Sequence, residues 1–260
     1  MSVTYANYLE LDRLLDLQTP LSKGPEHDET LFIIIHQVYE LWFKQILHEM
    51  QRLEECLEQN RTPKVLHALY RIRTILKTLV AQVDILETMS PLSFASFRTR
   101  LETASGFQSF QFRCVETILG KRNKKVFGSY PEDSEEYKEL LRLWNSPTLY
   151  QRFLAYLRQN GVTLPDQPLQ LNPDQGPAES EEVQTALVDV YRNQPLLTQV
   201  CEQMMDLDEG LQEWRYRHVK MVERTIGTKM GTGGSDGASY LRATLFRPLF
   251  PDLWAIRAQF

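Results

Sequence analysis

The chain has 260 residues, 42% hydrophobic and 24% charged, which is enough apolar material for one sizeable core without disulfides to support it. A formal charge of −5 argues against a nucleic-acid protein, which presents a basic surface. Cys56, Cys114 and Cys201 lie far apart and form neither CxxC nor CxxCH, so zinc ribbons, thioredoxin-type sites and covalently attached haem are unsupported, and free thiols fit a reducing compartment.

The opening stretch MSVTYANYLELDRLL lacks a charged n-region followed by an apolar run, and no apolar stretch is long enough to span a membrane. The expectation is a cytoplasmic protein with no membrane or nucleic-acid partner. Tyr5–Leu17 reads as a short amphipathic helix, with Tyr8, Leu11, Leu14 and Leu15 at helical spacing. Pro20, Gly24 and Pro25 mark a loop. His27 to about Asn60 then reads as one long central helix. Its broad apolar stripe is Leu31, Ile34, Ile35, Val38, Leu41, Trp42 and Ile46, with Phe32, His36, Phe43 and Leu47 on an adjacent strip.

Thr62 and Pro63 open the next helix, which runs to about Met89. Ser90 and Pro91 start another through Phe94, Phe97 and Leu101, broken at Ser105 and Gly106. Phe107–Leu119 is a further helical stretch. From Gly120 the composition turns polar, and Ser134–Trp144 with Pro147–Asn160 reads as an exposed helical pair. Gly161–Pro177 is a long loop rich in Pro, Asp, Gln and Asn. A helix over Ser180–Tyr191 precedes the second long one, Leu196–Ile226. Short helices over Ser239–Leu245 and Pro251–Phe260 close the chain. No strand-like alternation lies between turn signals, so the class is all-α: a single domain over 1–260, a helical bundle built on two long helices.

The segment Trp214–Gly237 joins a helix bearing His218 to the glycine-rich GTKMGTGGSDG. Gly231 and Gly233 begin a GxGxxG pattern, but Asp236 takes its last position and a helix precedes the loop, so nucleotide binding fails on spacing and context. The loop is either a plain helix stop or a segment that closes over a ligand, with Thr232 and Ser235 offering hydroxyls. A lone histidine on a helix face is more often structural than a ligand. His36 and His218, however, lie on the two longest apolar helices. There is neither HExxH nor ExxH, so a zinc or di-iron site is poorly supplied, whereas a b-type haem needs one histidine and an apolar pocket. An arginine fork for a substrate carboxylate is available in Arg98, Arg100 or Arg113, and spacing does not choose among them.

The stretches YANYLELD (Tyr5–Asp12), HDETLFIIIHQVYELWFK (His27–Lys44), FASFR (Phe94–Arg98), ASGFQSFQFR (Ala104–Arg113), WRYRHV (Trp214–Val219) and GTKMGTGGSDGASYLR (Gly227–Arg242) together resemble the tryptophan 2,3-dioxygenases, in order and over nearly the full length. The resemblance implies the indoleamine/tryptophan dioxygenase-like all-helical fold, a homotetramer and one non-covalent haem b per subunit. It implies insertion of O2 across the indole C2–C3 bond of L-tryptophan to give N-formyl-L-kynurenine, the first step of the kynurenine pathway. His218 is then the proximal iron ligand and His36 the distal histidine facing the indole N–H. Phe32 packs on the indole. Arg98 holds the carboxylate beside Phe94, at a place where the family often has Tyr. Thr232 meets the amino-acid end, and Ser105 lies at the haem edge. Tyr5 and Tyr8, in an N-terminal segment of about residues 1–20, reach a neighbouring subunit's site. The alternative is a haem-binding sensor or carrier of the same fold without turnover; a cofactor-free helical assembly protein is a third reading.

Overall fold

The computed structural model describes residues 2–24, 26–170, 176–229, 231, 241–242 and 245–260. Among them there is no strand, and the fold is all-α. Three long helices make its frame: α3 (His27–Glu58), α4 (Thr62–Leu86) and α10 (Pro195–Ile226). α4 is the middle one and packs along both others. It buries Val65, Ala68, Leu69, Ile72, Ile75, Leu76, Leu79, Val83 and Leu86, the i, i+3, i+4, i+7 recurrence of a wide apolar face.

The N-terminal segment differs from the single helix expected. It forms two one-turn helices, α1 (Tyr5–Tyr8) and α2 (Leu11–Leu14), because Glu10 between them takes the left-handed conformation at φ 52°. Neither buries a residue. The segment that follows is stapled to the first turn of α3. Glu29 is buried and accepts the N–H groups of Leu21 (2.6 Å) and Ser22 (3.0 Å), and the Ser22 hydroxyl as well. Gln37 adds a second tether, with Nε2 donating to the Leu17 carbonyl at 3.1 Å and Oε1 accepting from Gln18 at 2.7 Å.

Two expectations about burial are corrected. Ile34 and Leu41, placed in the apolar stripe of α3, are 41% and 53% exposed; they lie seven residues apart on the flank that turns away from α4. The pair α7 (Glu135–Trp144) and α8 (Leu149–Gln159), expected to be exposed, belongs to the core. α8 packs on α3 and buries Leu149, Tyr150, Phe153, Leu154, Tyr156 and Leu157. Its polar residues occupy a narrow outer face, which dilutes the average without weakening the stripe. Phe107–Leu119 resolves into a 3₁₀ turn (Gly106–Gln108) and α6 (Phe110–Ile118).

The remaining helices are α5 (Pro91–Arg98) and α9 (Glu181–Asn193). Two buried carboxylates pin the chain's end to the frame. Asp208 on α10 accepts from the backbone N–H of Leu249 (2.7 Å) and Phe250 (3.2 Å) and from the Trp254 indole (2.9 Å). Asp252, in the short helix Pro251–Ala255, accepts from Tyr150 Oη (2.5 Å), Ser180 N (2.7 Å) and Gln184 Nε2 (3.0 Å). The short helix expected over Ser239–Leu245 falls largely outside the described residues, and no helix described is long and apolar enough to cross a membrane.

Candidate active site

A second, smaller apolar cluster forms where α3, α4, α5 and α10 converge. Ile35, Leu86, Met89 and Phe97 are its buried centre, with Leu31, Phe32, Tyr39, Phe94, Leu101 and Met221 packed around them. α5 is the element that closes it. Ser90 caps α5 by accepting from Ser93 N at 3.0 Å, and Pro91 begins its first turn. This brings Phe94 and Phe97 to within 5.7 and 5.5 Å of the Phe32 ring. Below them Tyr39 donates to the Leu79 carbonyl at 2.7 Å and ties α3 to α4. Burial pushes that phenol up to about 12, so it remains a donor.

His36 stands one turn after Phe32, with the two ring centroids 4.1 Å apart. Its Nδ1 lies 2.7 Å from the Phe32 carbonyl. A carbonyl only accepts, so Nδ1 carries the proton and Nε2 presents a lone pair. The ring is open to solvent yet crowded by protein atoms, as a residue lining a concavity is. That crowding holds its pKa below the ordinary 6.5, against the opposing pull of the Phe32 carbonyl and Glu40.

His218 comes from the last third of α10. It stacks on Trp214 one turn earlier, with centroids 5.4 Å apart and planes 6° from parallel. Burial first, then His36 and Arg113, lower its pKa to about 4. His218 is therefore a neutral imidazole at pH 7, with a lone pair available to a metal. Among the described residues no three His, Cys, Asp or Glu side chains gather to hold a bare metal ion. One neutral histidine on α10, three residues before Met221, which packs into the cluster of Phe, Ile and Leu, is instead a donor set that suits haem.

Of the three arginines that spacing left open, Arg113 is buried in an ion pair with Glu116 at 2.6 Å and Arg100 is exposed. Arg98 is half-buried, one turn beyond Phe94 at the end of α5. The Ser105 oxygen accepts from Phe107 N at 3.2 Å as the cap of a 3₁₀ turn, which leaves its hydroxyl hydrogen to donate elsewhere. Tyr5 and Tyr8 stay 77% and 76% exposed, so the single chain does not fold them into its own site. Thr232 lies outside the described residues.

Sequence reasoning missed Trp214 as the platform for His218 and missed the charge cluster of Arg113, Glu116 and Arg215. The available signal was an Arg and a Glu three apart inside the otherwise apolar FRCVET, a pairing that makes sense only if the charges satisfy each other.

The fold and site define an all-helical protein in which His36 lines an aromatic cluster and His218, on α10, is a neutral imidazole stacked on Trp214. The chain matches the family model described as tryptophan 2,3-dioxygenase over residues 1–163 and 179–260. It is 54% identical over 260 residues to the tryptophan 2,3-dioxygenase of Herpetosiphon aurantiacus, covering 99% of this chain and 98% of that one. It is 53% identical over 256 residues to the enzyme of that name from Anaeromyxobacter dehalogenans, with 98% and 96% of the two chains covered. Identity to the one from Caulobacter vibrioides is 42% over 260 residues, covering 99% and 98%. The chain belongs to the tryptophan 2,3-dioxygenase family.

Proposed function

We propose that this chain binds haem b through His218 and inserts both atoms of O2 across the indole C2–C3 bond of L-tryptophan, giving N-formyl-L-kynurenine at the head of the kynurenine pathway. What supports this reading is a neutral His218 stacked on Trp214 together with a neutral His36 beside the Phe32, Phe94 and Phe97 rings. The names of the relatives favour an enzyme over a haem-binding sensor or carrier.

Haem, if bound, would supply the redox-active iron that O2 chemistry needs. The protein supplies the rest. His218 would hold the group through the lone pair of its neutral imidazole, and the stack on Trp214 fixes the plane of that ring. Phe32 packs on the indole. The free Nε2 of His36 accepts from the indole N–H and orients the ring; because that N–H is a poor acid, orientation is the role assigned to it. Arg98 answers the carboxylate, since burying the zwitterionic end is costly unless both charges are paired. Phe94 beside it packs but cannot donate a hydroxyl to that carboxylate. Ser105 and Thr232 contribute hydroxyls at the haem edge and the amino-acid end, and closure over the substrate excludes water. Tyr5 and Tyr8 complete the site of a neighbouring subunit in a cytoplasmic homotetramer, to which they bring an exposed pair of aromatic rings.

The test is spectroscopic and chemical together. Purified protein supplied with haem should show a Soret band, and after reduction it should convert tryptophan to a product with the near-ultraviolet absorbance of N-formylkynurenine. A Soret band without product would leave only the carrier; neither would remove haem chemistry altogether.

A further inference from the structure

The N-terminal segment is held to its own chain mainly at its base. α1 and α2 pack mainly on each other and bury no residue, and Tyr5 and Tyr8 stay exposed. The firm hold is Glu29, in the first turn of α3. Glu29 is only 2% exposed, and its carboxylate accepts the N–H groups of Leu21 at 2.6 Å and Ser22 at 3.0 Å together with the Ser22 hydroxyl. The Ser22 oxygen in turn accepts from Glu26 N at 3.0 Å, which closes the turn into α3. Eight residues further on, Gln37 Nε2 donates to the Leu17 carbonyl at 3.1 Å, and Gln18, bonded to Gln37 Oε1 at 2.7 Å, also donates to the Leu14 carbonyl at 3.0 Å. Eight helical residues rise about 12 Å. Leu17–Ser22 therefore runs antiparallel along the start of α3, with Leu17 beside Gln37 and Ser22 beside Glu29.

Glu29 precedes His36 by seven residues, two turns down the same face of α3. The arm thus departs from the flank that carries the distal histidine. Charge-assisted bonds to two successive backbone N–H groups fix direction as well as distance, which exposed leucines do not. Burial alone would favour the protonated acid, but the Ser22 hydroxyl, the two N–H groups and the charge of Arg100 hold the carboxyl below its usual range. Arg100 sits in the 3₁₀ turn directly after α5, so a local route from Glu29 to the chain's own Arg98 exists as well. We propose that Glu29 is the positioning residue of the arm: it sets the direction in which the N-terminal residues leave α3, and so seats Tyr5 and Tyr8 at the tryptophan site of a neighbouring chain. The proposal rests on the reading above that these tyrosines serve a neighbour. The role needs no contact between Glu29 and substrate.

The test uses the haem-loaded full-length protein. Glu29→Ala removes the staple; if the arm is then seated about a tenth of the time, KM for tryptophan rises about tenfold, while kcat, read once substrate has drawn the arm in, changes little. Co-expression separates this from the local route. A Glu29→Ala chain is made with an excess of a His218→Ala chain, and oligomers carrying tags from both are isolated. In them the iron ligand is intact only in the Glu29→Ala chain, whose site is completed by an arm that keeps Glu29, so KM should return to that of the unaltered protein. An unchanged KM in Glu29→Ala, or a raised KM that persists in the mixed oligomers, overturns the proposal. If Glu29→Ala does not fold, Glu29→Gln, which keeps one acceptor oxygen, takes its place with a smaller rise in KM and is judged by the same two outcomes. A normal KM in a Tyr5→Ala/Tyr8→Ala chain would instead sink the reading of the tyrosines, and failure of the unaltered protein to take up haem would sink the functional reading as a whole.

Discussion

His36 illustrates how one backbone contact sets chemistry. With Nδ1 committed to the Phe32 carbonyl, Nε2 accepts only while the ring is neutral, and crowding keeps it neutral below its ordinary 6.5. A depressed histidine pKa means that function persists as pH falls through 6.5 and is lost further down. The acid limb of kcat/KM should therefore lie below pH 6.5, and a limb at or above 6.5 would contradict the assignment. His36→Ala should cost about 10- to 100-fold in kcat/KM, the value of one hydrogen bond to an oriented group. Complete loss with haem and substrate binding intact would make it an obligate base. Arg98→Ala should act mainly on KM, by about 2–5 kcal/mol of lost charge pairing; an unchanged KM would move the carboxylate to another residue. His36 and His218 were legible as candidates because each sits on a long apolar helix. The placing of Phe94 and Phe97 beside Phe32 and His36 was not, since it depends on how α5 packs against α3 and α10. Nor was the burial of Arg113 beside Glu116, which supports proposing Arg98 as the carboxylate partner instead.

At the scale of elements, α4 sits between the two histidine-bearing helices, so the site depends on both of its faces. Periodicity revealed α3, α4 and α10 because each repeats its apolar face over many turns. It misjudged α8, where Arg and Gln on a narrow outer face masked a six-residue buried stripe. It could not foresee the clamp at Asp208, whose partners lie about forty residues on, at Leu249, Phe250 and Trp254. That clamp fixes the middle of α10, ten residues before His218. Asp208→Ala orphans two backbone N–H groups and an indole N–H, and should cost about 3 kcal/mol or more. Denaturant unfolding checks this, and a loss under about 1 kcal/mol would show that water replaces the carboxylate at little cost.

For the whole molecule, about half of the exposed large apolar residues among those described fall in two stretches, the others being spread over the surface. Val3, Tyr5, Tyr8, Leu9, Leu14, Leu15, Leu17 and Leu21 lie in the N-terminal segment, and Ile34 and Leu41 share one flank of α3. Glu29 and Gln37 fix where that segment leaves the body. If Tyr5 and Tyr8 serve a neighbour, a Tyr5→Ala/Tyr8→Ala chain co-expressed with a His218→Ala chain should regain activity, because a mixed oligomer contains sites with both an intact iron ligand and intact tyrosines. No recovery in demonstrably mixed oligomers would place the tyrosines outside the site.

The central claim is that the pocket between His36 and His218 directs both atoms of one O2 into tryptophan. Turnover of the haem-loaded, reduced protein under ¹⁸O2, read by mass spectrometry of freshly formed product, tests it most directly. N-formylkynurenine carrying two labelled oxygens is the expected result. A product with one label, with the other oxygen from water, would contradict it.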